Sequence, residues 1–295
     1  MKHTFVFVLL FFSAFYSYAQ LSDLARIDFT IIPKNSSGIE YTRNRALFNY
    51  PIKLKKEKEF LLLGLDYSNI HLNIEETNLP FNKEALDDFQ ILDLNISYTK
   101  PLKNDWRLGL RLTPGFSTNL TARSLSFEDL TLSGLVAFIK DKKNDKNESR
   151  PWKLTIGVYY SDNGGFSFPL PFISYYRKFR EKWSFNLGVP KSNLQYHLNE
   201  NHRIKFITEL EGYNSNIQGR LNVSNTNDNA TTIKMSLLLS GLQYEFHFKK
   251  HFQFYTKASY ILSNSVKLRN NNGTNIFTID NDPRLYIRAG IRLKI

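Results

Sequence analysis

The feature that most constrains this chain is a unit that recurs along it: an alternating apolar strand, a short charged turn, an aromatic residue, then another alternating strand. The turns are Lys56-Glu57-Lys58-Glu59 before Phe60, Lys103-Asn104-Asp105 before Trp106, Arg180-Glu181-Lys182 before Trp183, and Lys249-Lys250-His251 before Phe252. A longer fifth one ends Arg150-Pro151 before Trp152. Phe60, Trp106, Trp152, Trp183 and Phe252 therefore stand where a membrane-spanning hairpin places its interfacial aromatic girdle.

Period-2 alternation is cleanest in four stretches. Leu92, Leu94, Ile96 and Tyr98 alternate with Asp93, Asn95, Ser97 and Thr99, and Trp106, Leu108, Leu110 and Leu112 with Arg107, Gly109, Arg111 and Thr113. Residues 152–161 and 284–295 repeat the pattern, with Lys153, Arg284, Arg288 and Arg292 on the polar face. Side chains on one strand point alternately to opposite faces, so each segment has one apolar and one polar side. Alternation alone fits a soluble sandwich equally well. Loop character decides, because short charged turns alternate with longer Asn/Ser/Thr/Gly-rich connections at 75–88, 119–126, 162–168, 214–231 and 264–283, as in outer-membrane barrels.

Counting strands gives 24–32, 46–54, 59–74, 88–101, 105–119, 126–140, 152–161, 169–180, 182–189, 194–199, 202–214, 232–248, 252–264 and 284–295. The expected fold is all-β, a transmembrane antiparallel up-and-down β-barrel of about 14 strands. Twelve is the alternative, since Val189-Pro190 sits between the two shortest strands and proline is excluded from central strands. Within 59–74 and 232–248 the apolar set changes phase, from Leu61, Leu63, Leu65 and Tyr67 to Ile70, Leu72 and Ile74, and from Ile233, Met235, Leu237 and Leu239 to Leu242, Tyr244, Phe246 and Phe248. A one-residue β-bulge in each strand is the expected cause.

The N-terminus agrees with export. Met1-Lys2-His3, an apolar stretch Thr4 to Phe12 and the small-x-small Ser17-Tyr18-Ala19 read as a cleaved signal peptide over 1–19, leaving 20–295 as one outer-membrane β-barrel domain. The apolar stretch is too short to span a bilayer as a helix, and no lipoprotein anchor follows because the chain has no Cys. Without Cys there is also no disulfide framework, thiolate metal site or Cys nucleophile.

Over its mature length the chain resembles outer-membrane β-barrel proteins of unknown function from Bacteroidota, through Ala19-Gln20 at the signal end, the aromatic-flanked turns and the amphipathic C-terminal strand. The resemblance implies residence in the outer membrane of a Gram-negative bacterium, with lipid and lipopolysaccharide around the barrel and with barrel-assembly machinery and periplasmic chaperones during biogenesis. It implies no catalytic residues and no cofactor.

The net charge of +12 becomes +11 once Lys2 leaves with the signal. In an exported protein that favours lipid headgroups or small anionic solutes over nucleic acid. Candidate lumen-facing residues are Arg26, Asp28, Asp93, Arg107, Arg111, Lys153, Arg284, Arg288 and Arg292. Closure would set the last strand beside the first and make that seam unusually basic; alternatively, acids pair with the arginines and the charge ladder holds a narrow barrel shut. No histidine pair has metal-site spacing and no G-x-S-x-G elbow frames a serine, so no catalytic, cofactor or metal residue is assigned. A lipid hydrolase using Ser240 with His247 is the enzymatic alternative. The function expected is a small-solute channel or transporter, or else a closed structural barrel, with a secreted soluble β protein that binds carbohydrate or lipid as the third possibility.

Overall fold

A computed structural model describes residues 23–294 except 35–37, 55–57, 76–78, 122–123, 144, 146–148, 163, 166–167, 225, 227, 250 and 281. The signal segment 1–19 lies outside the described residues. The strands are β1 (Ala25–Ile32), β2 (Ile39–Lys53), β3 (Phe60–Ile74), β4 (Asp88–Pro101), β5 (Trp106–Thr118), β6 (Leu130–Asp141), β7 (Trp152–Ser161), β8 (Leu170–Arg180), β9 (Trp183–Val189), β10 (Lys191–His197), β11 (His202–Asn222), β12 (Asn229–Phe248), β13 (Phe252–Arg269), β14 (Asn275–Asp280) and β15 (Leu285–Leu293).

Each strand from β1 to β13 pairs antiparallel with the next, β13 pairs with β15, and β15 returns to β1. The circuit closes with 14 strands, and β14 hangs on β13 alone. Closure leaves no edge in the wall, which lets a sheet sit in lipid with its backbone groups satisfied. The proline lies between β9 and β10 rather than inside either, so both short strands form.

The outer wall carries large exposed apolar side chains at alternate positions, among them Ile27, Phe29, Phe48, Leu65, Leu94, Leu112, Val158, Phe206, Leu242 and Ile291. An apolar belt of this extent around a closed barrel is a lipid-facing surface.

Two expectations are corrected here, for one reason. The stretches 214–231 and 264–283 are largely strand: β11 continues to Asn222, β12 starts at Asn229, β13 reaches Arg269, and β14 fills part of the remainder. β2 likewise begins at Ile39 and β10 at Lys191. Nor do β3 and β12 bulge at their phase changes, since the pairing of β3 with β2 and β4, and of β12 with β11, runs straight through. Leu63, Leu65 and Tyr67 face outward and are exposed, whereas Ile70, Leu72 and Ile74 face inward and are buried. The apolar residues change sides because the environment does. At the end away from the short turns the outward positions carry polar residues such as Asn69, His71 and Asn73, and the inward positions form a dry core. The register irregularity in this region belongs to β13, between Ile261 and Ser263.

That core joins opposite walls. Ile70, Leu72, Ile74, Phe89 and Ile91 from β3 and β4, with Ile39 and Tyr41 from β2, pack against Tyr213, Ile217 and Leu221 of β11, Ile233, Leu237 and Leu239 of β12, and Val266 and Leu268 of β13. The end of the barrel opposite the charged turns is therefore flattened into a two-layer sandwich.

Candidate functional site

The interior has three parts, and the first is a seal. β4 and β11 are seven places apart in the circuit of fourteen, yet the ring centroids of Phe89 and Tyr213 are 6.2 Å apart, and Tyr41 stacks on Tyr213 at 6.0 Å. Beyond this contact β11 crosses to the far wall, where Asn216 pairs in parallel with Thr118 of β5. The connections on that wall fold over it. Asp129, fully buried in a short 3-10 turn at Phe127–Asp129, accepts hydrogen bonds from Asn216 Nδ2 and Gln218 Nε2, both at 2.7 Å, and from the Ser126 backbone N–H at 2.7 Å. Burial alone would raise the pKa of Asp129. The bonds from Asn216, Ser126, Thr118 and Gln218 outweigh it, and the net effect is a lowered pKa. Gly165, at φ +75°, lies flat on Gly212 and Met235, where a Cβ would meet the Met235 carbonyl at 2.3 Å.

The second part is a belt of ion pairs below the seal. Arg288 grips Glu211 with both terminal nitrogens at 2.9 and 2.7 Å, and its Nε lies 3.5 Å from Asp28. Lys257, itself buried, bridges Glu211 at 2.8 Å and Glu209. Arg26 pairs with Asp28 at 2.9 Å, and Asp23 lies 3.7 Å from both Arg26 and Arg292. Arg45 holds Asp66 through two nitrogens. At the seam, four cations (Arg26, Lys257, Arg288, Arg292) thus meet four carboxylates (Asp23, Asp28, Glu209, Glu211), and Lys191 of β10 joins them at 2.5 Å from Glu209. The expected basic stripe is neutralised, because β11 carries two glutamates to a strand three places away. Paired charges in a low-dielectric interior hold structure together and leave little net field.

The remaining sequence candidates are scattered around the interior. Asp93 opposes Asp66 and Gly115 on the inward side. Arg111 donates to Ser97 Oγ at 3.1 Å, and Arg107 to the Lys58 carbonyl at 2.8 Å. Lys153 lies 3.4 Å from Asp141. Arg284 is at the sealed end, paired with Asp280. Of the girdle candidates, Trp106, Trp152, Trp183 and Phe252 share register with outward residues at the short-turn rim. Phe60 does not: it opposes Lys53 and Thr99 and shares the inward parity of Leu62, so Tyr98 supplies the outward aromatic at that level. The aromatic belt gains Tyr175, Phe179, Phe185 and Tyr196, which interlock with Trp152 and Trp183 at centroid distances of 4.8–6.5 Å.

The third part is the inner face of β6–β10, lined by Ser133, Thr155, Tyr159, Ser174, Tyr176, Asn186, Asn193 and Gln195 and lacking the carboxylate network of the other wall. For catalysis, Ser240 bonds Thr208 on the outer face while His247 lies 3.5 Å from Glu245 inside, so the two do not meet. A contact without any sequence signal, Ser184 Oγ to His197 Nε2 at 3.0 Å, is a packing bond. Ser184 is fully buried, and the same nitrogen also takes the Gln195 amide at 2.8 Å. Among the described residues there is no group of three or more metal-ligating side chains.

The profile of one protein family, described as Domain of unknown function (DUF6268), matches residues 24–294. The chain belongs to that family. This DUF6268 chain is also similar to solved structures. An outer membrane channel from Pseudomonas putida F1 is 12% identical, with 94% of this chain and 98% of that one covered and a TM-score of 0.42. LpxR from Salmonella typhimurium is 10% identical, covering 92% and 100%, at TM-score 0.40. The KdgM porin is 8% identical, covering 92% and 99%, at 0.37. No curated protein sequence matches the DUF6268 chain.

Proposed function

We propose that this DUF6268 protein is an integral outer-membrane barrel of a Gram-negative, Bacteroidota-type envelope, exported by a signal peptide over 1–19 and closed to solute passage at its outer mouth. Residues 20–295 form its single domain. It has no catalytic role and works as a structural barrel that presents its sandwich end at the cell surface, with the charged turns in the periplasm. Lipid and lipopolysaccharide surround the apolar belt, and the barrel-assembly machinery and periplasmic chaperones deliver it.

The observation that carries this reading is the contact of Tyr213 with Phe89 across the barrel. Each large apolar side chain in that core contributes about 1.5–3 kcal/mol. Separating a handful of them costs more than the roughly 5.5 kcal/mol that carries a two-state equilibrium from one side to the other. The resting barrel is therefore shut. Single-channel recording of refolded protein in planar bilayers tests it. Silence from protein shown to be folded and inserted is the expected result, and reproducible conductance steps would replace this reading with an open channel.

A small-solute channel that opens on release of the β11 crossing is the second reading, favoured by the hydrophilic lining of β6–β10 below the seal, which lacks the carboxylate network of the other wall. Conductance appearing only when Asp129→Asn loosens the crossing would support it.

A further inference from the structure

With the seam nearly neutral, most of the positive charge of the interior lies elsewhere. It collects on the other side of the lumen, near the periplasmic end. Lys153 on β7, Lys178 on β8 and Arg203 and Lys205 on β11 lie at inward register positions. Lys143, from the β6–β7 connection, sits 4.7 Å above the ring of inward-facing Tyr176. Lys294 follows β15 at the parity of Arg292.

These groups share one field. Burial lowers the pKa of Lys143, and Lys153, Lys205 and Arg203 act in the same direction against the pull of Asp141. Lys294 stands between charges of both signs, with Glu245 and Asp23 on one side and Arg292 and Arg203 on the other. Against six cations stand two carboxylates within ion-pair distance: Asp141 with Lys153 at 3.4 Å and Glu245 with Lys205 at 2.7 Å. Six minus two leaves four positive charges, against one at the seam, where Lys191 and Lys257 share Glu209. Arg203 makes no ion pair among the described residues, and its Nε is buried without a hydrogen-bond partner. Uncompensated like charges in a low-dielectric lumen destabilise the fold unless an anion joins them.

Gln195 and His197 on β10 and Tyr176 on β8 add neutral hydrogen-bonding groups to the same wall. Water reaches the cluster, since the side chains of Lys153 and Lys205 are 19% and 17% exposed although both point inward.

We propose that the inner face of β7–β11, with Lys143 and Lys294, is a binding site for a small multivalent oxyanion bearing phosphate or carboxylate groups, admitted from the periplasmic end. The proposal rests on the barrel being embedded with its short turns in the periplasm. It makes the molecule a one-ended receptacle: sealed outside, cationic within.

The Cys-free sequence allows a direct test. Asn193→Cys places a thiol on the inward face of β10, and Lys182→Cys places a control at the rim. In refolded protein, the rates of an anionic and a cationic methanethiosulfonate of similar size are compared at both positions. The expected result is an anionic preference of about tenfold at Asn193→Cys relative to the control. That preference falls severalfold when Lys178→Gln and Arg203→Gln are added, and millimolar pyrophosphate slows labelling only while both cations are present. Folding of every variant is verified by heat-modifiable gel mobility.

Equal rates, a cationic preference, or no reaction with either reagent in folded protein would overturn the site. Protection by phosphatidylglycerol micelles but not by pyrophosphate would overturn its assignment to a soluble anion. The sealed-barrel reading fails by a different result, namely conductance, or labelling of Asn193→Cys from outside intact cells.

Discussion

Tyr213→Ala probes the seal most directly. Its ring is 1% exposed, stands 6.0 Å from Tyr41 and 6.2 Å from Phe89, and joins two walls that an open barrel would hold apart. Truncating a fully buried aromatic costs about 3–5 kcal/mol from lost transfer energy plus the cavity left behind. At 1.4 kcal/mol per tenfold, this is a drop of roughly two to three and a half orders of magnitude in the folding equilibrium. The hydroxyl is buried without a hydrogen-bond partner, so Tyr213→Phe should be neutral or stabilising, by up to about 1–3 kcal/mol. Tyr260→Ala is the control, since that ring faces lipid and is 54% exposed. The assay is urea unfolding of barrels refolded in detergent, with amide exchange along the upper part of β11 to show that the damage is local. The reasoning is refuted if Tyr213→Ala loses under about 1 kcal/mol, or no more than Tyr260→Ala, because the walls would then be hydrated and apart.

Three further outcomes are expected. The lowered pKa of Asp129 gives a contribution that is present above its unfolded value of about 3.9 and lost as pH falls through the folded value. Proteolysis of the 119–129 connection should therefore rise below about pH 4, and Asp129→Asn should be susceptible at pH 7 without further change on acidification. Leu110→Arg, in the apolar belt, should cost about 2–4 kcal/mol in bilayer refolding titrations. His71→Arg, outward on β3 but above the belt, should stay within about 0.5 kcal/mol, and equal penalties would mean the belt is drawn too short. Lys257→Met strips a buried cation from Glu209 and Glu211 and should cost about 3–5 kcal/mol in the same titrations; a change under about 1 kcal/mol would show that the belt is solvated.

Strand number and closure were legible because turn chemistry and period-2 alternation are local properties. Outward placement at the short-turn end was legible for the same reason at Trp106, Trp152, Trp183 and Phe252. Phe60 failed because register, which no single residue reveals, sets it on the inward parity. The ends of β11, β12 and β13 were misread as loops because Asn, Ser and Thr at their outward positions resemble solvated connections, while Tyr213, Ile217, Leu221, Val266 and Leu268 at alternate positions were the signal for a second core. The phase changes in β3 and β12 carried that signal more strongly. Read as bulges, they concealed a change of surroundings at constant register. The interior chemistry depends on which strands approach across the lumen. Glu209 and Glu211 neutralise Lys257 and Arg288 only because β11 leans over β12 and β13, and that placement is a tertiary fact.

The level at which the apolar face turns inward also serves as a waterline. Raising the barrel by two residues would strand Leu65 and Tyr67 in water, and lowering it would drag Asn69 and His71 into hydrocarbon, so the upper boundary is fixed by the strands themselves. The short-turn rim, padded with interlocking rings at Trp152, Trp183 and Tyr196, has no such step. When the membrane thickens or thins, the mismatch is taken up at the short-turn rim, while the opposite end keeps its height above the surface.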